Sequence, residues 1–275
     1  MLKIIYLLNV GIATYNVRAH VPSDIPSHNQ IIPAENLASQ KHLDEIVSWT
    51  EKQKMKLNEK KTKNIIFNFT KKYQFTTKLR MNLSNINVVK ETKLLGTIIT
   101  DDLKWNRNTE VLVKKGYQRM QLLNAAAGFT SSVPKLKSIY VTFVRSILEQ
   151  SAVVWHSSLS DENKRDLERV QKSAVRVILG YKYTNYQQGL NILNLETLNK
   201  RRTKLCLRFA KECLKNEKVK KFFPINTSKH KMKKRRKKQF KQMTYKTERY
   251  KKSSLPYMRK LLNKEFELKT AIMKE

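Results

Sequence analysis

Acidic residues are scarce in this sequence. Its 275 residues carry 22 Asp plus Glu against 57 Lys plus Arg, a formal net charge of +35. Such an excess repels itself unless it meets a polyanion. Nucleic acid is the expected partner, an anionic membrane surface the second, and a basic surface with no dedicated ligand the plainest alternative. Cysteine is nearly absent: Cys206 and Cys213 alone supply no disulfide framework. Seven residues apart in a helical pattern, they belong on one apolar face as buried free thiols rather than as a metal pair. The five histidines, His20, His28, His42, His156 and His230, are scattered and form no local zinc-ligand pattern. Long hydrophobic runs are missing as well. The apolar opening MLKIIYLLNVGIA is shorter than the about 20 residues a bilayer-spanning helix needs. No convincing small-residue cleavage site follows it, so secretion is not expected.

What is there is a composition 40% hydrophobic, enough for a sizeable core. Residues 17 to 36 hold Pro22, Pro26 and Pro33 and read as a loop. From Ala34, the recurrence of Leu37, Leu43, Ile46, Val47 and Trp49 predicts a helix that ends at Asn58. KNIIFNF, residues 63 to 69, is β-branched and aromatic and predicts a strand. TTKLRMNL and INVVK predict two more, with Ser84-Asn85 as the hairpin turn between them. LLGTIIT predicts a fourth, with Gly96 marking a bulge or a close backbone approach.

After Trp105 the period changes to that of helices. Thr109 is the expected N-cap of the first, with Val113, Gly116, Tyr117, Met120, Leu123 and Ala127 on one face and Gly128 as its stop. The next starts near Ser132 or Pro134 with the stripe Leu136, Ile139, Tyr140, Phe143, Ile147 and Val154. Ser160 caps a third, its acids in the first turn, its inner face Leu167, Val170, Ala174 and Ile178, and Gly180 at its end. A fourth, about residues 196 to 214, carries Leu198, Leu205, Cys206, Phe209 and Cys213. Residues 229 to 252 hold thirteen Lys plus Arg and one Glu. They predict a flexible basic segment, followed by the amphipathic piece LPYMRKLLNKEFEL. The expected fold is therefore an α+β part of one helix plus short antiparallel strands (residues 1 to 105), an all-α helical bundle (106 to 215), and a basic, largely disordered extension with a short carboxy-terminal helix (216 to 275).

Three stretches in order resemble the reverse transcriptase of jockey-like non-LTR retrotransposons, over about residues 34 to 210. KMKLNEKKTKNIIF resembles the family's motif D. TKLLGTIITDDLKW resembles motif E, the primer-grip hairpin. IYVTFVRSILEQSAVVWHSSL with LERVQKSAVRVIL resembles the helical thumb that follows. The resemblance implies that the first part is the end of a palm and the bundle a thumb. The family's Tyr-x-Asp-Asp hairpin does not occur in these residues. Its place in the family precedes the segment that MLKIIYLLNVGIATYN resembles, so a carboxy-terminal portion of a polymerase is expected, with no metal of its own. Mg2+ is implied only for a full-length relative.

Candidate residues divide accordingly. Asp101 and Asp102 are preceded by Ile-Thr, not Tyr-x, and neighbours on a strand point to opposite faces. They are expected to form a polar turn rather than hold two metal ions. Lys61 matches the motif D lysine, implied to protonate a leaving pyrophosphate only when the rest of the palm is supplied. Leu95, Gly96 and Thr97 match the primer grip, where a glycine lets backbone approach a sugar-phosphate chain. Trp105 is expected in the core rather than stacked on a base. Arg145 and Glu149 form a structural pair one turn apart. Lys200, Arg201 and Arg202, with Lys204, form a basic helix face that either follows duplex phosphates or is merely solvated. Lys233, Lys234, Arg235, Arg236, Lys237 and Lys238 form the strongest charge signal. They suit phosphates or a nuclear import signal, with Phe240, Tyr245 and Tyr250 as stacking candidates.

The sequence thus reads as a truncated reverse transcriptase of the RNA-directed DNA polymerase family, inactive alone, that binds RNA or DNA, in particular primer-template. It has no membrane partner and no small-molecule substrate of its own, and belongs in the nucleus or cytoplasm. The alternatives are a non-enzymatic RNA- or DNA-binding protein derived from a mobile element, or a remnant of an element without function.

Overall fold

The computed structural model describes residues 34–69, 79–81, 84–226, 239–241 and 243–272. Helices dominate, with a few short strands, an α+β layout. The chain divides into two compact units at Lys104–Trp105.

In the first unit, helix α1 spans Ala34–Lys52. It ends six residues before Asn58, whose side chain instead caps the short 3-10 turn Glu59–Lys61. Of the expected inner stripe of α1, Leu43 and Val47 are half-buried while Ile46 and Trp49 are 42% and 56% exposed. Gln40 fixes the helix to a strand by acting as a peptide group: its amide donates to Arg80 O at 2.7 Å and accepts from Arg80 N at 2.9 Å. Among the described residues three two-stranded sheets follow. β1 (Lys63–Asn64) pairs with β4 (Asn87–Val88) in parallel, against the expectation of antiparallel strands throughout. The strand expected over residues 63 to 69 keeps only Lys63 and Asn64 in a ladder. β2 (Arg80–Met81) pairs antiparallel with β3 (Ser84–Asn85), so Ser84 and Asn85 are strand and not the turn.

LLGTIIT is not one strand. β5 (Glu91–Leu94) and β6 (Thr97–Thr100) form an antiparallel hairpin with Leu94 opposite Thr97. The two-residue turn between them has φ 47° at Leu95 and φ 87° at Gly96. Two positive φ values in succession are the type I′ turn that matches strand twist. Gly96 therefore serves the turn, not a bulge.

The second unit opens with α2 (Asn106–Phe129), which starts three residues before the expected Thr109 cap and buries Thr109 in its first turn. Its core face is Leu112, Gly116, Met120 and Leu123, while Tyr117 is 43% exposed. α3 (Val133–Ile139) continues through a π-helical turn, Tyr140–Arg145, into α4 (Ser146–Leu148). Leu136, Tyr140, Val144 and Leu148 are all buried. A π turn is wider than an α turn, so every fourth residue tracks the core and the expected Ile139, Phe143 and Ile147 drift off it. Phe143 is 46% exposed. Then come α5 (Ala152–Trp155) and α6 (Asp161–Leu179). Ser160 caps α6 through the Asn163 N–H at 3.1 Å, and Gly180 ends it at φ 52°. Leu167, Val170, Ala174 and Ile178 face inward as expected.

α7 (Tyr186–Ile192) lies against α6. α8 (Leu198–Lys215) buries Leu198, Arg202, Cys206, Ala210 and Cys213. A polar chain joins these helices. The Tyr140 hydroxyl donates to Gln171 Oε1 at 2.5 Å, and Gln171 Nε2 donates to Tyr186 Oη at 2.8 Å and to Glu196 O at 3.0 Å. Tyr186 in turn donates to Glu168, whose two oxygens accept the Leu198 N–H at 3.2 and 3.1 Å.

Among the described residues after Lys215, a helix returns to the bundle. After α9 (Glu217–Lys220) and α10 (Glu248–Lys251), the 19-residue α11 (Ser254–Ile272) packs back on α8. Met258 and Leu262 join Ala210, Cys213, Val219, Phe223 and Phe240 in one apolar cluster. Arg259 donates from Nε to Phe222 O at 2.9 Å, and Asn263 holds both backbone groups of Phe240 at 2.8 and 3.0 Å. Burial of the apolar face together with these bonds offsets the cost of ordering the segment.

Gly189 makes a sharp packing test. A Cβ there would stand 2.5 Å from Val175 Cγ1, whereas one at Gly128 would meet nothing within 4 Å. Gly189→Ala is expected to destabilise the second unit by about 1–3 kcal/mol. Gly128→Ala should leave stability unchanged or raise it by about 0.5–1 kcal/mol. Urea unfolding followed by circular dichroism distinguishes the two.

Candidate nucleic-acid interface

The β5–β6 hairpin puts Leu95 at its tip, 58% exposed, with Gly96 beside it and Thr97 buried at 4%. Thr97 therefore holds the hairpin together and does not present its side chain outward. Asp101 and Asp102 follow as the turn. Asp102 Oδ1 accepts from Thr100 Oγ1 at 2.7 Å and from the Lys104 N–H at 3.0 Å, and Oδ2 pairs with Lys104 Nζ at 3.3 Å. Partial burial works to raise the carboxyl pKa. The hydrogen bonds from Lys104 N–H, Thr100 and Lys104 Nζ, with the lysine charge, outweigh it and leave the pKa below the ordinary value. Both oxygens are engaged by the chain itself. Among the described residues no three His, Cys, Asp or Glu side chains are grouped to hold a metal. Lys61 lies exposed on the capped 3-10 turn. Trp105 is buried at the start of the second unit.

The basic face of α8 differs from its expected form. Arg202 is 0% exposed, because helical spacing places it in line with Leu198, Cys206 and Ala210. It contacts no solvent and is removed from the surface set. Arg201 Nε pairs with Glu149 at 2.5 Å. Lys200 and Lys204 share Glu196 at 3.2 and 2.6 Å. The band is thus largely met by the protein's own acids.

The outer face of α6 was not singled out from the sequence. Arg165, Arg169, Lys172 and Arg176 are exposed along it, opposite the inner face. From Arg169 to Leu195 the sequence contains no Asp or Glu. Arg169 pairs with Asp166 at 2.6 Å, but the later cations rest on rings instead. Lys172 lies 5.3 Å from the Tyr186 ring centre, Arg176 5.3 Å from Tyr183, and Lys182 5.7 Å from Tyr181. Cation–π contact orders a side chain without neutralising it. Tyr181 is 93% exposed. The signal was available as bases at steps of four, three and four residues, the last three of them in an acid-free run.

Lys233, Lys234, Arg235, Arg236, Lys237 and Lys238 lie outside the described residues. The residues flanking the run are placed: Asn226 N–H donates to Gln239 O at 2.9 Å, and Lys241 N–H to Pro224 O at 2.9 Å. Phe240 is buried at 5% and is not a stacking platform, while Tyr245 and Tyr250 are 47% and 37% exposed. The Cys206 and Cys213 thiols are buried, which pushes their pKa up to about 12 and about 11. Among the described residues no helix is long and apolar enough to cross a membrane.

Behind α8, His156 is 3% exposed. Its Nδ1 accepts from Arg202 Nε at 3.3 Å and its Nε2 lies 3.2 Å from Thr203 Oγ1, which contacts the Tyr257 hydroxyl at 3.1 Å. Burial foremost, then the Arg202 and Lys164 charges, lowers the imidazole pKa to about 3.

Comparison with known proteins gives no match to any family model, curated protein or solved structure.

The histidine predicts a pH dependence. Between its ordinary pKa near 6.5 and the folded value of about 3, only the unfolded chain takes the proton. Its stabilising contribution is complete above pH 6.5 and is lost as the pH falls toward 3, at up to about 1.4 kcal/mol per pH unit. Urea midpoints for wild type should fall across that window more steeply than those of His156→Gln.

Proposed function

We propose that this chain binds RNA or DNA through the outer face of α6 and its continuation to Tyr181 and Lys182. The observation that carries this is the acid-free run from Arg169 to Leu195, in which Lys172, Arg176 and Lys182 sit on tyrosine rings rather than on carboxylates. Cations of that kind keep their charge for phosphates, and an exposed tyrosine beside them suits base stacking.

Within that reading, the chain is the palm-end and thumb portion of a non-LTR retrotransposon reverse transcriptase that holds a primer-template end. The ordered resemblance of motif D, motif E and the helical stretch supports it, as does the tight turn at Leu95-Gly96. Synthesis of DNA by these residues alone is not part of the proposal, since they contain no Tyr-x-Asp-Asp. Mg2+ would enter only with a full-length relative. The place of action is the nucleus or the cytoplasm. A non-enzymatic binding protein derived from a mobile element shares the same α6 face and differs in end preference.

Fluorescence anisotropy with single strands, blunt duplexes and recessed primer-template ends tests both levels. The double variant Lys172→Glu, Arg176→Glu should weaken binding about tenfold or more and lower the slope of log K against log salt by about two. Lys264→Glu, exposed on α11, should leave binding unchanged. Equal binding by the α6 double variant would overturn the interface. Equal affinity for recessed and blunt ends would favour the general binding protein, and metal-dependent primer extension would overturn the inactive reading.

A further inference from the structure

Three arginines gather where the π-helical turn meets α8, and their donors exceed their acceptors. The turn Tyr140–Arg145 delivers Arg145, and Glu149 follows one turn later. Glu149 Oε1 accepts Arg201 Nε at 2.5 Å and lies 3.8 Å from Arg145 Nε. One carboxylate therefore serves two guanidiniums, and the Arg145 contact is too long for a hydrogen bond. The Arg145 and Glu149 side chains are only 14% and 12% exposed, and Arg201 is 35% exposed.

Arg202, the next residue on α8, is fully buried. Its Nε donates to His156, and its guanidinium lies 5.7 Å from the Trp155 ring centre. Both of its terminal nitrogens are buried with no hydrogen-bond partner among the described residues. Glu168 and Glu149 favour its charged form, yet neither forms an ion pair with it. Glu168 is already committed to the Leu198 N–H and the Tyr186 hydroxyl. Three guanidiniums thus face two carboxylates, at the amino-terminal end of an 18-residue helix whose dipole adds positive potential. Burial, and then the Arg201 charge, lowers the Arg145 pKa, the direction expected of cations held close together.

The backbone here departs from regular form in two places. The π turn sets the direction of Arg145, and Ser151 holds φ 53° while the Ala152 N–H closes on Glu149 O at 3.1 Å. π turns and left-handed non-glycine residues are found at ligand sites more often than elsewhere.

We propose that Arg145 and Arg201, backed by Arg202, form a binding site for a single tetrahedral oxyanion of the phosphate class, with Glu149 as its intramolecular competitor. A guanidinium fork matches phosphate oxygens in pairs. The low exposure of Arg145 and Glu149 suits a compact anion better than a continuous sugar-phosphate backbone. The source is a free oxyanion or the terminal phosphate of a nucleic-acid chain. This site is separate from the outer face of α6 and does not rest on the function proposed above.

Isothermal titration of the full chain with inorganic phosphate, against chloride at matched ionic strength, tests the site. One saturable phosphate is expected. Arg145→Gln should weaken it by about tenfold or more, and Arg145→Lys, which keeps the charge but not the fork, should weaken it less. Glu149→Gln removes the competitor and should bind phosphate more tightly, whereas loss of a merely structural ion pair would not tighten it. Circular dichroism checks that each variant is folded. A phosphate response equal to chloride, an unchanged Arg145→Gln, or a Glu149→Gln that binds no tighter would each overturn the proposal. Displacement of phosphate by a 5′-phosphorylated but not a 5′-hydroxyl oligonucleotide assigns the chain end as source, and no displacement assigns the free oxyanion. The Lys172→Glu, Arg176→Glu variant should retain phosphate binding, so failure of one site leaves the other standing.

Discussion

The amide of Gln171 is the joint on which the helical unit turns. Fully buried on α6, it receives a hydrogen bond from Tyr140 and gives its own to Tyr186 and to the Glu196 carbonyl. An unpaired buried amide costs several times what a paired one contributes, so these partners must arrive together. Glu168, one turn earlier on the same helix, does the equivalent for α8 by accepting its first N–H. With the inner face of α6 tied to three other helices, its outer face has a settled direction. The cations there are presented by a rigid element rather than by a loop.

The same arrangement explains why charge is useful in one place and spent in another. On α8, Glu149 and Glu196 answer Arg201, Lys200 and Lys204, and the helix gains local neutrality where it packs. Along α6 beyond Arg169 the cations Lys172 and Arg176 meet tyrosine rings in place of counter-ions. Two helices of similar composition therefore carry different external potentials. Counting bases alone does not separate them; counting the acids within reach does.

Regular periodicity made much of the helical unit legible. Ser160, Gly180 and the inward row from Leu167 to Ile178 stand where helical spacing and capping chemistry place them. Three features escaped for definite reasons. A π turn changes the residues per turn, so an extrapolated 3.6 period misplaces Phe143. Arg202 is a cation in an apolar register, and register decided its burial while residue type suggested the surface. The last helix was expected from its amphipathic pattern, but its packing on α8 was not, because local pattern says nothing about Met258, Leu262, Arg259 and Asn263 finding partners far away in sequence. The outer α6 face was readable but needed attention to absent acids rather than present bases.

The return of α11 also sets an order of events during synthesis. Ser254 Oγ donates to Val154 O across 100 residues, and Ser158 Oγ to Lys252 O across 94. Arg259 satisfies the Phe222 carbonyl only once residue 259 exists. Contacts of such long sequence separation form slowly and late. A nascent chain that has passed α8 but not α11 holds Ala210, Cys213 and Phe223 without their cover. During that interval the growing polypeptide presents an apolar flank beside a strongly cationic stretch, a combination that invites premature association with ribosomal RNA or chaperones. Completion of α11 covers that flank with Met258 and Leu262 and closes the interval.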